Sequence, residues 1–177
     1  MYKRKYGRMT SSAWLNSELE QSSSFLTVFC GALMTVAYFT VRWLTGTPYR
    51  AMLELGIADM MPPVWLFSLL QLFGFFSIGC AVGLVLGWKD CGCTADKYKG
   101  ALFFVLLAAI ELCWYPTLFG GELVFLGLFE AVLTVFLSVC VSVCFFRISG
   151  LSGILLSLHS VWLLYLLIFT CAVFFRN

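Results

Sequence analysis

The stretch Glu111-Leu-Cys-Trp114-Tyr-Pro116-Thr-Leu-Phe119-Gly120 decides how this chain is read. It closes an apolar run that begins near residue 98, and it places a carboxyl group, three aromatic rings and a proline inside that run. Gly120 and Gly121 then interrupt the pattern, and a second long apolar run follows, carrying Glu130 ten residues past Gly120. An apolar segment of about 20 residues is long enough to cross a bilayer as a helix. The stretch therefore reads as the end of one membrane helix turning into the next, an αα-hairpin closed by two glycines. An ionisable side chain at membrane depth is costly and marks a functional site.

The pattern extends outward over most of the 177 residues. The chain is 62% hydrophobic and 11% charged, against about 45–50% and about 25% in soluble domains. It predicts an all-α fold, an integral membrane bundle of five transmembrane helices. The spans run over about 24–43, 62–86, 98–118, 122–146 and 151–175, forming one domain over 24–177 behind a polar leader, 1–23. Within the leader, Ser17-Glu-Leu-Glu20 is a candidate start of a short interfacial helix. The loop after the first span allows a short helix over Tyr49–Leu55, ended by Gly56. Pro62-Pro63 suit the first turn of the second span, where a missing N–H costs no hydrogen bond. Gly79 and Gly83 of that span have the spacing that lets membrane helices approach closely. No cleavable signal is evident, so the first apolar run reads as a retained span.

Basic residues give the expected orientation. Lys3, Arg4, Lys5, Arg8, Lys89, Lys97, Lys99 and Arg147 fall on one side, and Arg42, Arg50 and Arg176 on the other. The positive-inside rule then places the N-terminus in the cytoplasm, and a bacterial plasma membrane is the expected location. A net charge of +2, with cations scattered at helix ends, points away from nucleic acid and toward membrane lipid as the surrounding partner. Six of the eight cysteines lie inside apolar runs, where they act as small hydrophobes rather than a disulfide framework. Cys91-Gly-Cys93 lacks the second ligand pair that a zinc site needs. Trp14, Trp43 and Trp88 fall near predicted boundaries and read as interfacial anchors.

Glu111 lies nine residues before Gly120 and Glu130 ten after it, which at about 1.5 Å per residue puts both near the middle of the bilayer. No Lys or Arg falls at that depth. Removal from water disfavours the charged form, so at least one of the two is expected to carry a proton at pH 7. The pair reads either as a polar anchor for a ligand or ion, or as interhelical packing. His159, the only histidine, reads as a hydrogen-bonded packing residue, with no second His for a metal site. Gln71 reads equally as a pocket group or a helix–helix contact. Trp65, Trp114 and Trp162 lie within or at the start of spans, where an indole suits either packing or a planar ligand.

The stretch resembles the third-helix signature of the TspO/MBR family, the translocator or tryptophan-rich sensory proteins, whose pattern is roughly N-x-x-W-x-P-x-x-F. Trp114, Pro116 and Phe119 match it, and Glu111 stands in place of the asparagine. Pro62-Pro63, Trp65 and Gly79 resemble part of the second-helix signature. Trp162 and Arg176-Asn177 resemble the fifth-helix ending, while Glu130 takes the place of a fourth-helix acidic residue. His159 and Thr170 stand where a Tyr and an Asn are usual. The chain departs from the family at Ile57-Ala-Asp-Met-Met-Pro62-Pro63 and at Ser68 and Gln71, which replace the Pro and Trp of a P-x-W motif.

The resemblance implies a membrane protein that binds or transports a tetrapyrrole, or a similar flat hydrophobic molecule, in a pocket within the bundle, as sensor or transporter. Carried over by position, the ligand site comprises Trp65, Gln71, Glu111, Trp114, Pro116, Glu130, Trp162, Leu166 and Phe169. It implies no resident cofactor, a porphyrin- or haem-like ligand, and a homodimer as the form common among relatives. Two other readings stay open: a small proton- or cation-coupled transporter using Glu111 and Glu130, and a porphyrin-degrading enzyme. The enzyme ranks below binding, because no nucleophile–base pair or metal cluster is legible.

Overall fold

The structure, a computed structural model, describes residues 11–46, 62–89, 94–121 and 123–176. The Tyr49–Leu55 segment and Cys91-Gly-Cys93 lie outside the described residues. Among the described residues, six helices follow in order: α1 (Ser11–Gln21), α2 (Ser24–Thr45), α3 (Val64–Leu86), α4 (Thr94–Phe119), α5 (Val124–Phe146) and α6 (Gly150–Arg176). The last five are long and apolar enough to cross a membrane. No strand occurs among the described residues. The chain is thus a multi-pass integral membrane protein, and its spans close a ring in the order α2, α3, α6, α5, α4, with α4 returning to α2.

Backbone groups in lipid must bond within their own helix, and many hydroxyls of the spans do the same. Thr40, Thr45, Ser68, Thr117, Thr134, Ser157, Ser160 and Thr170 each donate to the carbonyl four residues earlier. These eight hydroxyls therefore sit in apolar helices without an orphaned donor.

The glycines of α3 bring α2 and α3 into backbone contact. A Cβ on Gly79 would lie 2.5 Å from the Cys30 carbonyl oxygen, on Gly83 2.6 Å from the Thr27 Cα, and on Gly87 2.8 Å from the Ser23 nitrogen. The small-residue spacing read from the sequence thus serves packing inside one chain.

Several boundaries differ from expectation. The third span begins at Thr94, because Asp96 sits in its first turn, where a negative charge favours a helix start. The fourth begins at Val124, because the turn consumes the residues before it. Gly120 N and Gly121 N bond back to the Pro116 oxygen, and Leu123 N to that of Thr117. The leader carries a full helix, α1, rather than a short start at Ser17. Its buried Glu18 accepts a hydrogen bond from Ser149 Oγ at 2.6 Å, in the turn between α5 and α6. Trp14 lies against Gly150, and Lys89 Nζ donates to the Glu20 carbonyl. The leader, the loop after α3 and the α5–α6 turn are therefore gathered at one end of the bundle. Trp43 is exposed, as an interfacial anchor would be, but Trp88 is buried in the core at the end of α3. Cys30, Cys80, Cys113, Cys140, Cys144 and Cys171 are free thiols.

Candidate functional site: a cross-bundle polar pair beside a groove

Pro116 stands inside α4. It offers no N–H to the residue four positions earlier, which loosens the helix there. One turn before Pro116, α4 aims Glu111 into the ring and buries it. The partner is His159 on α6: its Nε2 lies 3.1 Å from Glu111 Oε2, and both side chains are 2% exposed or less. Their helices are not ring neighbours, so the bond crosses the bundle interior. Interhelical bonds of this kind contribute about 0.6–2 kcal/mol in membranes.

Each residue of the pair keeps one atom without a protein partner, Glu111 Oε1 and His159 Nδ1, and Trp114 Nε1 is likewise unpaired. Glu111 and Trp114 border a cavity of about 10 Å³, closed by Ala131, Thr134, Leu163 and Leu166. That is close to the space one water molecule needs. This small cavity has no room for a large ligand.

Glu130 is placed differently. It accepts a hydrogen bond from Thr117 Oγ1 at 3.2 Å and is partly exposed on α5. Glu111 faces Ala131 and Thr134 across the same hairpin. The two carboxyls, matched in depth by residue counting, thus have separate partners. The four-residue turn offsets the register of α5, and helix rotation turns Glu130 toward Thr117.

A much larger space, about 650 Å³, opens between α3 and α6. Its walls are Leu70, Phe73, Phe76, Leu155, Leu158, Val161, Trp162 and Tyr165, with Gly74, Ser77, Cys80 and His159 among them. Trp162 and Tyr165 stack at 5.0 Å with 26° between their planes. Trp162 is fixed from behind: its Nε1 donates to Gln71 Oε1 at 2.5 Å, and its ring packs against Phe67. Gln71 thereby acts as a helix–helix contact that orients a groove wall. Phe73, Leu158 and Val161 are largely exposed along the outer face of the bundle, so the groove opens laterally.

The residues singled out from the sequence fall into three groups. Glu111, Trp114 and Leu166 share the small cavity, and Gln71 and Trp162 are bonded to each other. Phe169 is buried in the core, whereas Trp65 is 69% exposed and reaches neither space. His159 belongs to the site as the partner of Glu111. Depth gives no signal for it: His159 lies nine residues past the start of α6, and Glu111 seventeen past the start of α4. Phe73, Phe76 and Tyr165 line the groove but carry no pattern that separates them from other apolar residues. Among the described residues, no group of three His, Cys, Asp or Glu side chains gathers to hold a metal ion.

No curated protein and no solved structure matches this chain. A family model does, over residues 23–176, from the N-cap of α2 to the last residue of α6. The chain that carries the Glu111–His159 pair and the α3–α6 groove belongs to the TspO/MBR family.

Proposed function

We propose that this TspO-type membrane protein binds a flat hydrophobic molecule, of the tetrapyrrole or haem-pathway kind, and transports or senses it. The observation that carries this reading is the aromatic groove between α3 and α6. Its volume of about 650 Å³ falls in the range of about 300–1,000 Å³ typical of small-molecule sites. The stacked Trp162 and Tyr165 give it a flat apolar wall. The reading moves the ligand from the bundle interior to the lateral groove, where a molecule dissolved in the bilayer has direct access. The chain sits in a bacterial plasma membrane with its N-terminus in the cytoplasm, where eight of the eleven basic residues would then lie, and it associates as a homodimer.

Titration of the purified protein with protoporphyrin, followed by tryptophan fluorescence, tests this. Trp162→Ala is expected to weaken binding at least tenfold, while Trp65→Ala leaves it unchanged. Equal affinity in Trp162→Ala and the unaltered protein would remove the groove from consideration.

The Glu111–His159 pair also favours a second reading, proton-coupled transport, with Glu111 rather than Glu130 as the coupling group. In liposomes, Glu111→Gln then abolishes pH-driven flux and Glu130→Gln retains it. The reverse pattern would reject this assignment.

A further inference from the structure

The Glu111–His159 pair stands between two spaces. Glu111 borders the small cavity shared with Trp114, and His159 borders the α3–α6 groove. One nitrogen and one oxygen are engaged in their mutual bond, and His159 Nδ1 and Glu111 Oε1 have no protein partner. Nδ1 lies against Gly74, where a Cβ would come within 2.9 Å of it. Gly74 lines the groove and the nitrogen is buried beneath it, so the pair acts on the groove through its charge rather than by direct contact.

Counting protons shows what this arrangement can do. With a single proton, on Nε2, the imidazole is neutral, Glu111 is a carboxylate, and the pair carries one negative charge. Nδ1 is then a bare lone pair. A second proton makes the pair neutral, either as imidazolium with carboxylate or as imidazole with carboxylic acid. In the first form, and in the second when the acid O–H points at Nε2, Nδ1 carries an N–H. Proton uptake thus removes the negative charge behind the groove floor, which favours an anionic oxygen in the groove. A metal ion in the pair's inner cavity is a poor fit, because Trp114 presents a donor N–H there and the space is about 10 Å³.

We propose that the groove takes a flat apolar molecule bearing a carboxylate, and that each ligand anion binds together with one proton held by the Glu111–His159 pair. This rests on the groove being the ligand site. The other titratable groups near His159 are Cys80 from α3 and Tyr165 on α6 itself, both in the groove walls. On α5, Glu130 is turned to Thr117. Among the described residues, no Lys or Arg lines the groove.

The test uses protoporphyrin and its dimethyl ester, titrated against the protein in lipid nanodiscs over about pH 6.5–8.5, above the range where the ligand's own carboxylates titrate. Uptake of one proton predicts that protoporphyrin affinity rises about tenfold for each unit the pH falls, while the uncharged ester shows a much flatter profile. Glu111→Gln is expected to flatten the protoporphyrin profile as well. Selective nitrogen-15 labelling of histidine reports His159 alone, since it is the only one in the chain. It should show an N–H appearing at Nδ1 when protoporphyrin is added to the unaltered protein at constant pH. Affinity independent of pH, an unchanged slope in Glu111→Gln, or a ring unaltered by ligand each overturns the proposal while leaving the groove reading intact. No binding of either porphyrin at any pH overturns both.

Discussion

Glu111 on α4 and His159 on α6 meet at 3.1 Å across the bundle interior, although α5 separates their helices in the ring. A bond of this kind fixes the distance between opposite walls rather than between neighbours. Glu111→Leu or His159→Leu alone leaves the other polar group buried without a partner. Each single change is expected to cost about 1–3 kcal/mol. The double change is expected to cost less than the sum, with a coupling of about 1 kcal/mol. A double-mutant cycle of reversible unfolding in detergent measures it, and strict additivity would show that the bond contributes nothing.

Gln71 holds Trp162 through its Nε1 at 2.5 Å, and Trp162 is a wall of the groove. Gln71→Leu removes the acceptor and leaves the indole N–H without one, freeing the ring to tilt. Porphyrin affinity is expected to fall about three- to tenfold, corresponding to roughly 0.5–1.5 kcal/mol for one hydrogen bond. Gln71→Glu keeps an acceptor at the same place and is expected to retain the orientation of Trp162, read by its near-ultraviolet circular dichroism. A Gln71→Leu protein with unaltered affinity would mean that Trp162 is held by Phe67 and Tyr165 alone.

Glu130 offers a contrast within the same hairpin. It bonds to Thr117 and is partly exposed, so Glu130→Gln keeps a side chain able to accept from that hydroxyl. Stability is expected to change by less than about 1 kcal/mol, and the pH dependence of porphyrin binding is expected to be unchanged. A Glu130→Gln protein that loses the pH dependence would transfer the proton site from α4 to α5.

The five spans were legible because runs such as 124–146 contain almost nothing that water could hold, and length alone then fixes a membrane helix. The hairpin was legible from Gly120-Gly121, and Glu111 from its misplaced charge. The partner of Glu111 was not legible. It depends on ring order and on the rotation of α6, which are set by packing contacts such as Gly74 under the His159 ring. Residue counting matched Glu111 with Glu130 in depth, but the turn residues bonded back onto Pro116 and Thr117 offset the register. The groove was hidden for a related reason. In a span that faces lipid on one side and helices on the other, Phe73 and Phe75 look alike in sequence, yet one is 64% exposed and the other 1%.

The α2–α3 seam makes a sharper claim about stability. At Gly83 an added Cβ would meet backbone, the Thr27 Cα at 2.6 Å, and backbone cannot rotate away. Gly83→Ala is expected to push the helices apart and cost about 1–3 kcal/mol. Gly127→Ala serves as the comparison, since its Cβ would meet a Leu118 methyl at an ordinary 3.4 Å. It is expected to be neutral or slightly stabilising. Thermal unfolding of both variants decides the matter, and equal midpoints would show that the seam yields without cost.

Helix α1 is tied to the α5–α6 turn by a buried hydrogen bond, Ser149 Oγ donating to Glu18 Oε2, with Trp14 seated on Gly150 beside it. Most of the other α1 side chains are exposed, so few contacts share the work of docking it. Glu18→Ala removes the acceptor and leaves the Ser149 hydroxyl buried, at a cost of about 1–3 kcal/mol. Because that cost falls on docking rather than on the bundle, the expected result is local. Amide exchange in α1 speeds up about 5- to 150-fold, while α3 and α6 stay protected. Trp14→Ala is expected to act in the same direction and to the same helix. Exchange that quickens equally in α1 and in the spans would mean that the leader helix is part of the bundle's cooperative unit rather than a strap across its end.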